Sequence, residues 1–304
     1  MNDDGLIKDV AGLSKPTTVF IEKISDAIGG IVKPYQIKRV AKAEAEAELI
    51  KTEGKIKSAE LQQRAFHRLI DEEAKHQANM ELITEKAIGY LEDDAKPEKM
   101  ENDWISNFFD KCRLVSDEQM QTLWAKLLAG EANEPGKYSK RTVNFVASMD
   151  KHDAMLFTKL CSFVWSIGTQ FVCLIGHYSW SDEIYGRNGI DFYSLMHLDT
   201  IGLITFGAQE NFYLRDLPPS FIAHYHDSTV RFTFPRIMNG STGEIRQETS
   251  FETGCVLLSQ IGKELVPIAG SEAIPEFVDY VIDVWTKKGY KVTRDRPLEE
   301  EKKT

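Results

Sequence analysis

The sequence has no run of eighteen apolar residues, so it offers no helix able to cross the hydrocarbon core of a bilayer. Its N-terminus, MNDDGLIKDV, starts acidic and lacks the basic-then-apolar order of an export signal. The expected location is cytoplasmic, peripheral to a membrane at most. Cysteine is scarce: Cys112, Cys161, Cys173 and Cys255 stand apart in apolar surroundings with no CxxC pair. That argues against a metal site or a disulfide framework and for buried free thiols in a reducing compartment. Positive charge is short as well. Lys and Arg number 37 against 47 Asp and Glu, a net charge of −10, which disfavours non-specific binding of DNA or RNA.

Signatures of phosphate binding and of nucleophilic catalysis are also missing. Gly29 and Gly30 lie in an apolar helical pattern, with neither a lysine–serine pair nor a βαβ unit behind them. No serine sits in a GxSxG elbow and no HExxH occurs. Cys112 and Cys161 fall on apolar helix stripes, where a thiol packs rather than reacts. No cofactor and no catalytic residue is expected.

What is present is dense architecture. The chain is 42% apolar and 28% charged, the composition of a globular protein with a large core. Trp104, Ile105, Phe108, Phe109 and Cys112 recur at helical spacing, and so do Met120, Leu123, Trp124, Leu127 and Leu128. Two such stripes predict two amphipathic helices with buried faces. Ser116 and Gln119 have the spacing of a capping box for the second helix. Gly130, Pro135 and Gly136 are placed to end it, and Ser139 to cap a third. Asp150 and Asp153 open a fourth, whose apolar face carries Met155, Leu156, Phe157 and Leu160.

The regions on either side differ in texture. Lys38 to Leu91 is rich in Ala, Glu and Lys, with a thin stripe of Leu49, Ile56, Leu61, Phe66, Leu69, Ile70, Leu82 and Ile83. Helix propensity is high there, but no heptad is sustained, so the segment reads as an arm that meets other subunits. After FVCLIG, a strand or a buried helix end, the period changes. FYSLMHLDTIGLI reads as a short helix feeding a strand; NFYLRDL, TVRFTFPRI and SFETGCVLL read as antiparallel hairpins. SQIGKELVPI and a last helix over about 275–288 complete the pattern.

The expected fold is mainly α with a C-terminal α+β module. A helical arm and oligomerisation region covers 1–91, a central helical domain 104–175, a winged-helix-like module 178–292 and a disordered tail 293–304. The acidic stretch EDDAKPEKMEND, from Glu92 to Asp103, is the expected linker. From Ile190 to Gly289 there are 7 Lys and Arg against 13 Asp and Glu, so a winged helix here is expected to bind protein rather than DNA.

The segments DWISNFFDKCRLVSDEQMQTLWAKLLAGEANEPGKYSKRTVNF and DAMLFTKLCSFVW, with the N-terminal GLSKPTTVFIEKISDAIGGIVKPYQIKRVAKAEAEA, resemble a bacterial family known only as a domain of unknown function. The resemblance carries no catalytic residues. It implies a cytoplasmic bacterial protein, with a role in defence against phage for some related architectures.

Two constellations remain. His224 and His226 in AHYHD share one face if the segment is a strand, a recurrent metal-ligand spacing, but nothing else in the sequence completes a site. Near the N-terminus, Phe20, Ile24, Ile28 and Ile31 form an apolar face followed by Lys33, Lys38, Arg39 and Lys42. That composition suits an oligomer interface with a basic rim or, alternatively, contact with an anionic membrane. The function expected is a non-enzymatic, self-assembling sensor or adaptor that works with a partner protein, possibly in anti-phage defence by the resemblance above. The alternatives are a metal-dependent hydrolase using His224 and His226, and a transcription regulator.

Overall fold

Trp104 and Phe108 stack at 5.2 Å in the computed structural model, and Phe108 meets Trp124 edge-on at 5.1 Å. The two apolar stripes of the central segment are thus buried against one another, as their spacing predicts. The structure describes residues 14–28, 56–175, 181–238, 245–247 and 249–295. These fall into two units, Met1–Met149 and Asp150–Thr304.

The first unit is helical: α1 Lys15–Ile28, α2 Ile56–Ile88, a 3-10 turn Pro97–Lys99, α3 Asn102–Cys112, α4 Glu118–Asn133 and α5 Lys140–Ser148. The cap of α4 is Asp117 rather than Ser116; its carboxylate accepts from Gln119 N and Met120 N at 3.0 and 3.1 Å. A carboxylate here satisfies orphan donors as a hydroxyl would and also faces the positive end of the helix dipole. Gly130 does not end α4, which continues to Asn133. It makes room instead: a Cβ there would lie 2.7 Å from Cε2 of the Tyr138 ring. Gly136, at φ +92°, does take a turn conformation that side chains resist, and Ser139 caps α5 as expected, accepting from Thr142 N.

The expected division at 91 and 104 is not the observed one. Glu92 N donates to Asn133 Oδ1 at 3.0 Å and Lys96 N to Ala132 O at 2.8 Å, so the acidic stretch is docked on the end of α4. The C-terminal half of α2 lies on the same body, with Ile83, Thr84 and Ala87 fully buried and Lys86 Nζ donating to Glu118 O at 3.3 Å.

The second unit opens with α6 Lys151–Cys161, β1 Val164–Ile167 and β2 Gln170–Cys173, so FVCLIG begins as a strand. Then come α7 Glu183–Gly186, α8 Phe192–Thr200, β3 Ile204–Phe206, β4 Phe212–Leu214, β5 Ser220–Tyr225 and β6 Ser228–Thr233. The chain continues through β7 Arg236–Met238, β8 Ile245–Gln247, β9 Phe251–Gly254, β10 Val256–Leu258 and α9 Gln260–Leu265. A 3-10 turn Val266–Ile268, α10 Phe277–Lys287 and β11 Lys291–Asp295 end the described part. The five-stranded sheet has the order β11-β6-β5-β1-β2, and β10-β3, β4-β9 and β7-β8 form separate pairs, all antiparallel.

Its core gathers Trp165, Tyr225, Phe232, Phe251, Phe277 and Trp285, all fully buried. Residues 293–295 belong to this sheet rather than to a disordered tail, because β11 pairs with β6 as far as Asp295↔Thr229. The mainly helical first unit and sheet-containing second unit agree with the expected fold class. A five-stranded sheet does not by itself establish a winged helix; the part that matches that pattern is α8 leading into β3, paired with β10 ahead of α9.

Candidate functional site

Strands β5 and β6 form a hairpin whose two-residue loop is His226 and Asp227. His224 is the fifth residue of β5, while His226 sits beyond its end at φ +45°. The pair therefore does not alternate along one strand, as the metal reading assumed, yet both side chains are exposed and both line one cleft of about 280 Å³. Cross-strand pairing sets one wall. Phe171, Ser166, His224 and Thr229 are opposed in successive strands and so share a face of the sheet, and His224 Nδ1 lies 3.2 Å from Thr229 Oγ1.

The facing wall is Val266, Pro267, Gly270 and Ser271. It is fixed from both sides. Thr158 Oγ1 donates to Ala269 O at 2.9 Å, and the Tyr225 hydroxyl accepts from Ile274 N at 2.8 Å while donating to Ser162 O at 2.7 Å. Burial pushes the Tyr225 hydroxyl up to about 12, so it remains a donor at neutral pH. Cys161 also borders the cleft, but burial holds its thiol far above the ordinary range, out of reach as a thiolate nucleophile. Among the described residues, no three His, Cys, Asp or Glu side chains converge in a way that could hold a metal ion.

One pairing escaped the sequence. Asp153 uses one oxygen on Asp150 N at 3.2 Å, the expected helix start, and the other on His197 Nε2 at 2.6 Å. The ring of His152 lies 6.2 Å from that of His197. Around them Met155, Tyr193 and Met196 are exposed on α6 and α8. No local spacing could reveal a partner 44 residues away.

The N-terminal segment is also placed differently. Phe20 and Ile24 are fully buried, and α1 packs on α3 and the Pro97–Lys99 turn, so these two serve the core of their own unit rather than an oligomer or membrane contact. Ile28 is half-buried; Ile31, Lys33, Lys38, Arg39 and Lys42 lie outside the described residues.

The exposed apolar surface is on α2 instead. Eighteen residues make about five turns of an α-helix, so Ala65, Phe66, Leu69 and Ile70 point in the same directions as Ile83, Thr84, Ala87 and Ile88. The second set packs on the body of the unit. In the first, Leu69 is 59% exposed and Ala65 is open, and Leu61 one turn earlier is 63% exposed. One apolar face thus runs the length of the helix and is covered over only part of it.

Among the described residues, no helix is long and apolar enough to cross a membrane. A family model described as "protein of unknown function (DUF2806)" matches residues 63–282. Comparison with curated proteins and with solved structures gave no match.

Proposed function

Because the chain belongs to the DUF2806 family of unknown function, its role has to be argued from its surfaces, and we propose a non-enzymatic interaction protein that self-assembles through α2. The observation that carries this reading is the repeat of the buried face of α2 five turns earlier, where Leu61 and Leu69 stand open. A second copy laid along that face would remove Leu61, Phe66, Leu69 and Ile70 from water, each worth about 1.5–3 kcal/mol when fully buried. Charged residues flank the stripe, as in Arg64, Arg68, Asp71 and Glu72, which suits a seam with a polar rim.

The second unit then supplies recognition. Tyr193 and Met196 on α8 and Met155 on α6 give an adaptable apolar surface for a partner protein, with the winged-helix-like part as its frame. A cytoplasmic location agrees with this reading, as does service as a sensor or adaptor in defence against phage, for which the resemblance of the sequence is the sole support. The transcription-regulator reading is disfavoured by the shortage of basic residues, and the hydrolase reading by the two-histidine ligand set.

Mass photometry of the full chain and of a Leu61→Glu, Leu69→Glu variant tests assembly. The expected result is a multiple of the chain mass that falls to one chain in the variant, with helical content by circular dichroism unchanged. A single-chain mass for both proteins at micromolar concentration overturns the proposal.

A further inference from the structure

We propose that the cleft between β1, β5 and Val266–Ser271 binds a small organic anion, a carboxylate or phosphate head on an apolar body. This does not depend on how the chain assembles. The polar groups of the wall that reach out by their side chains are Ser166, His224, His226, Ser271 and Trp165, and no Asp, Glu, Lys or Arg lies among the lining residues. Each of these groups can donate a hydrogen bond. A wall of donors without a carboxylate selects a ligand that brings acceptors.

The indole N–H of Trp165 sharpens the choice. Trp165 is fully buried and lines the cleft, yet its Nε1 has no hydrogen-bond partner. Strands β1 and β5 are in register only at Ser166↔His224 and Ile167↔Ala223. Beyond that point Trp165 and Tyr225 stack at 4.9 Å instead of pairing through their backbones, and the cleft opens where the strands part. An indole N–H has no lone pair to offer a metal ion, so a metal on the two imidazoles would leave it orphaned. An oxyanion can take it.

Backbone conformation points the same way. A two-residue hairpin loop is built with least strain from glycine or asparagine, whereas His226 adopts φ +45° there and brings an imidazole to the mouth of the cleft. Phe171, Val266 and Pro267 supply the apolar lining for the body of the ligand. The hydrogen bonds of Thr158 and Tyr225 hold the far wall in place, so little ordering is needed on binding. A volume of about 280 Å³ lies near the lower end of the range for small-molecule sites.

Two-dimensional proton–nitrogen spectra of the full-length protein test this, because each of the 5 tryptophans contributes one indole N–H signal. Trp165→Phe identifies the signal to follow. Benzoate and phenyl phosphate are titrated separately, with benzyl alcohol as the neutral control and zinc chloride as the metal control. The expected result is a saturable shift of the Trp165 signal with at least one of the two anions and none with benzyl alcohol; which anion wins assigns the head group. A His224→Ala, His226→Gly variant, whose glycine accepts the positive φ, should weaken that binding about tenfold or more while the other four indole signals stay in place. No saturable shift with either anion at millimolar concentration, an equal response to benzyl alcohol, undiminished binding in the variant, or stoichiometric zinc binding that competes with the anion would each overturn the proposal.

Discussion

Glu131 Oε2 accepts the backbone N–H of Tyr138 at 2.9 Å, and its other oxygen accepts that of Gly136 at 2.7 Å. Glu131 is only 2% exposed, so one buried carboxylate closes the whole loop between α4 and α5. The same loop is held from its other end, where Trp104 Nε1 donates to Tyr138 O at 2.7 Å and the Tyr138 ring covers Gly130. The stretch WAKLLAGE…PG…SKRT, the most specific in the sequence, is thereby accounted for as a helix junction.

Two substitutions at this junction should be costly. Glu131→Ala strands a buried amide, and leaving such a donor unpaired costs about 1–3 kcal/mol. Gly130→Ala drives a methyl into the Tyr138 ring, with a similar penalty of about 1–3 kcal/mol for overpacking. Urea unfolding of both variants checks this; midpoints equal to the parent would mean the loop is held by something else.

Trp124→Ala should cost about 3–5 kcal/mol, the range for deleting a large aromatic from a core. Its indole N–H has no hydrogen-bond partner, so Trp124→Phe forfeits only volume and should cost distinctly less. Thermal melts that rank the two variants the other way would contradict the packing around Phe108 and Trp124.

Ile24→Glu should destabilise the first unit by more than the roughly 2–5 kcal/mol of deleting a buried isoleucine, because a carboxylate is also forced into the core. Leu61→Glu should leave the melting temperature nearly unchanged, since that side chain is open to solvent. An unaltered melt for Ile24→Glu is the result that would dislodge α1 from its place on α3.

All four thiols are buried and should resist alkylation in the native protein while reacting fully in denaturant. Their pH dependence has a definite sign. Burial raises each thiol above its unfolded value of 9.0, so the stability it contributes is fully present below that pH. It is lost as pH rises from there through the folded values, the lowest of which is about 12 for Cys255. Each thiol can contribute a slope of up to about 1.4 kcal/mol per pH unit in that window. Denaturant midpoints between pH 8 and 11, compared with a Cys112→Ala variant, measure one share of it.

Helical periodicity made the core of the first unit legible, because Trp104, Phe108 and Trp124 encode their shared face in their spacing alone. Caps were nearly as readable, though Ser116 and Asp117 are adjacent capping residues and only the structure chooses between them. The acidic Glu92–Asp103 stretch misled because composition records charge and not docking; its backbone bonds to Ala132 and Asn133 leave no trace in sequence. The face of Phe20 and Ile24 was read correctly as apolar, and its partner in the same unit could not be. The cleft was half visible as His224 and His226, while Trp165 and Ser271 reach it through strand pairing and a distant loop. His197 and Asp153 were invisible for the same reason of separation.

Helix α2 has one further property that follows from being held along part of its length. Starting an isolated helix is unfavourable, whereas adding a residue to an existing one is not. The turns around Ile83 are kept formed by the body of the unit and act as a permanent nucleus, from which the Ala- and Glu-rich remainder can grow toward Glu60. Unwinding then starts only at the open end, so backbone amide exchange should slow steadily from Glu60 to Ile83 within one continuous helix. Association along Leu61 and Leu69 would flatten that gradient, and dilution would restore it.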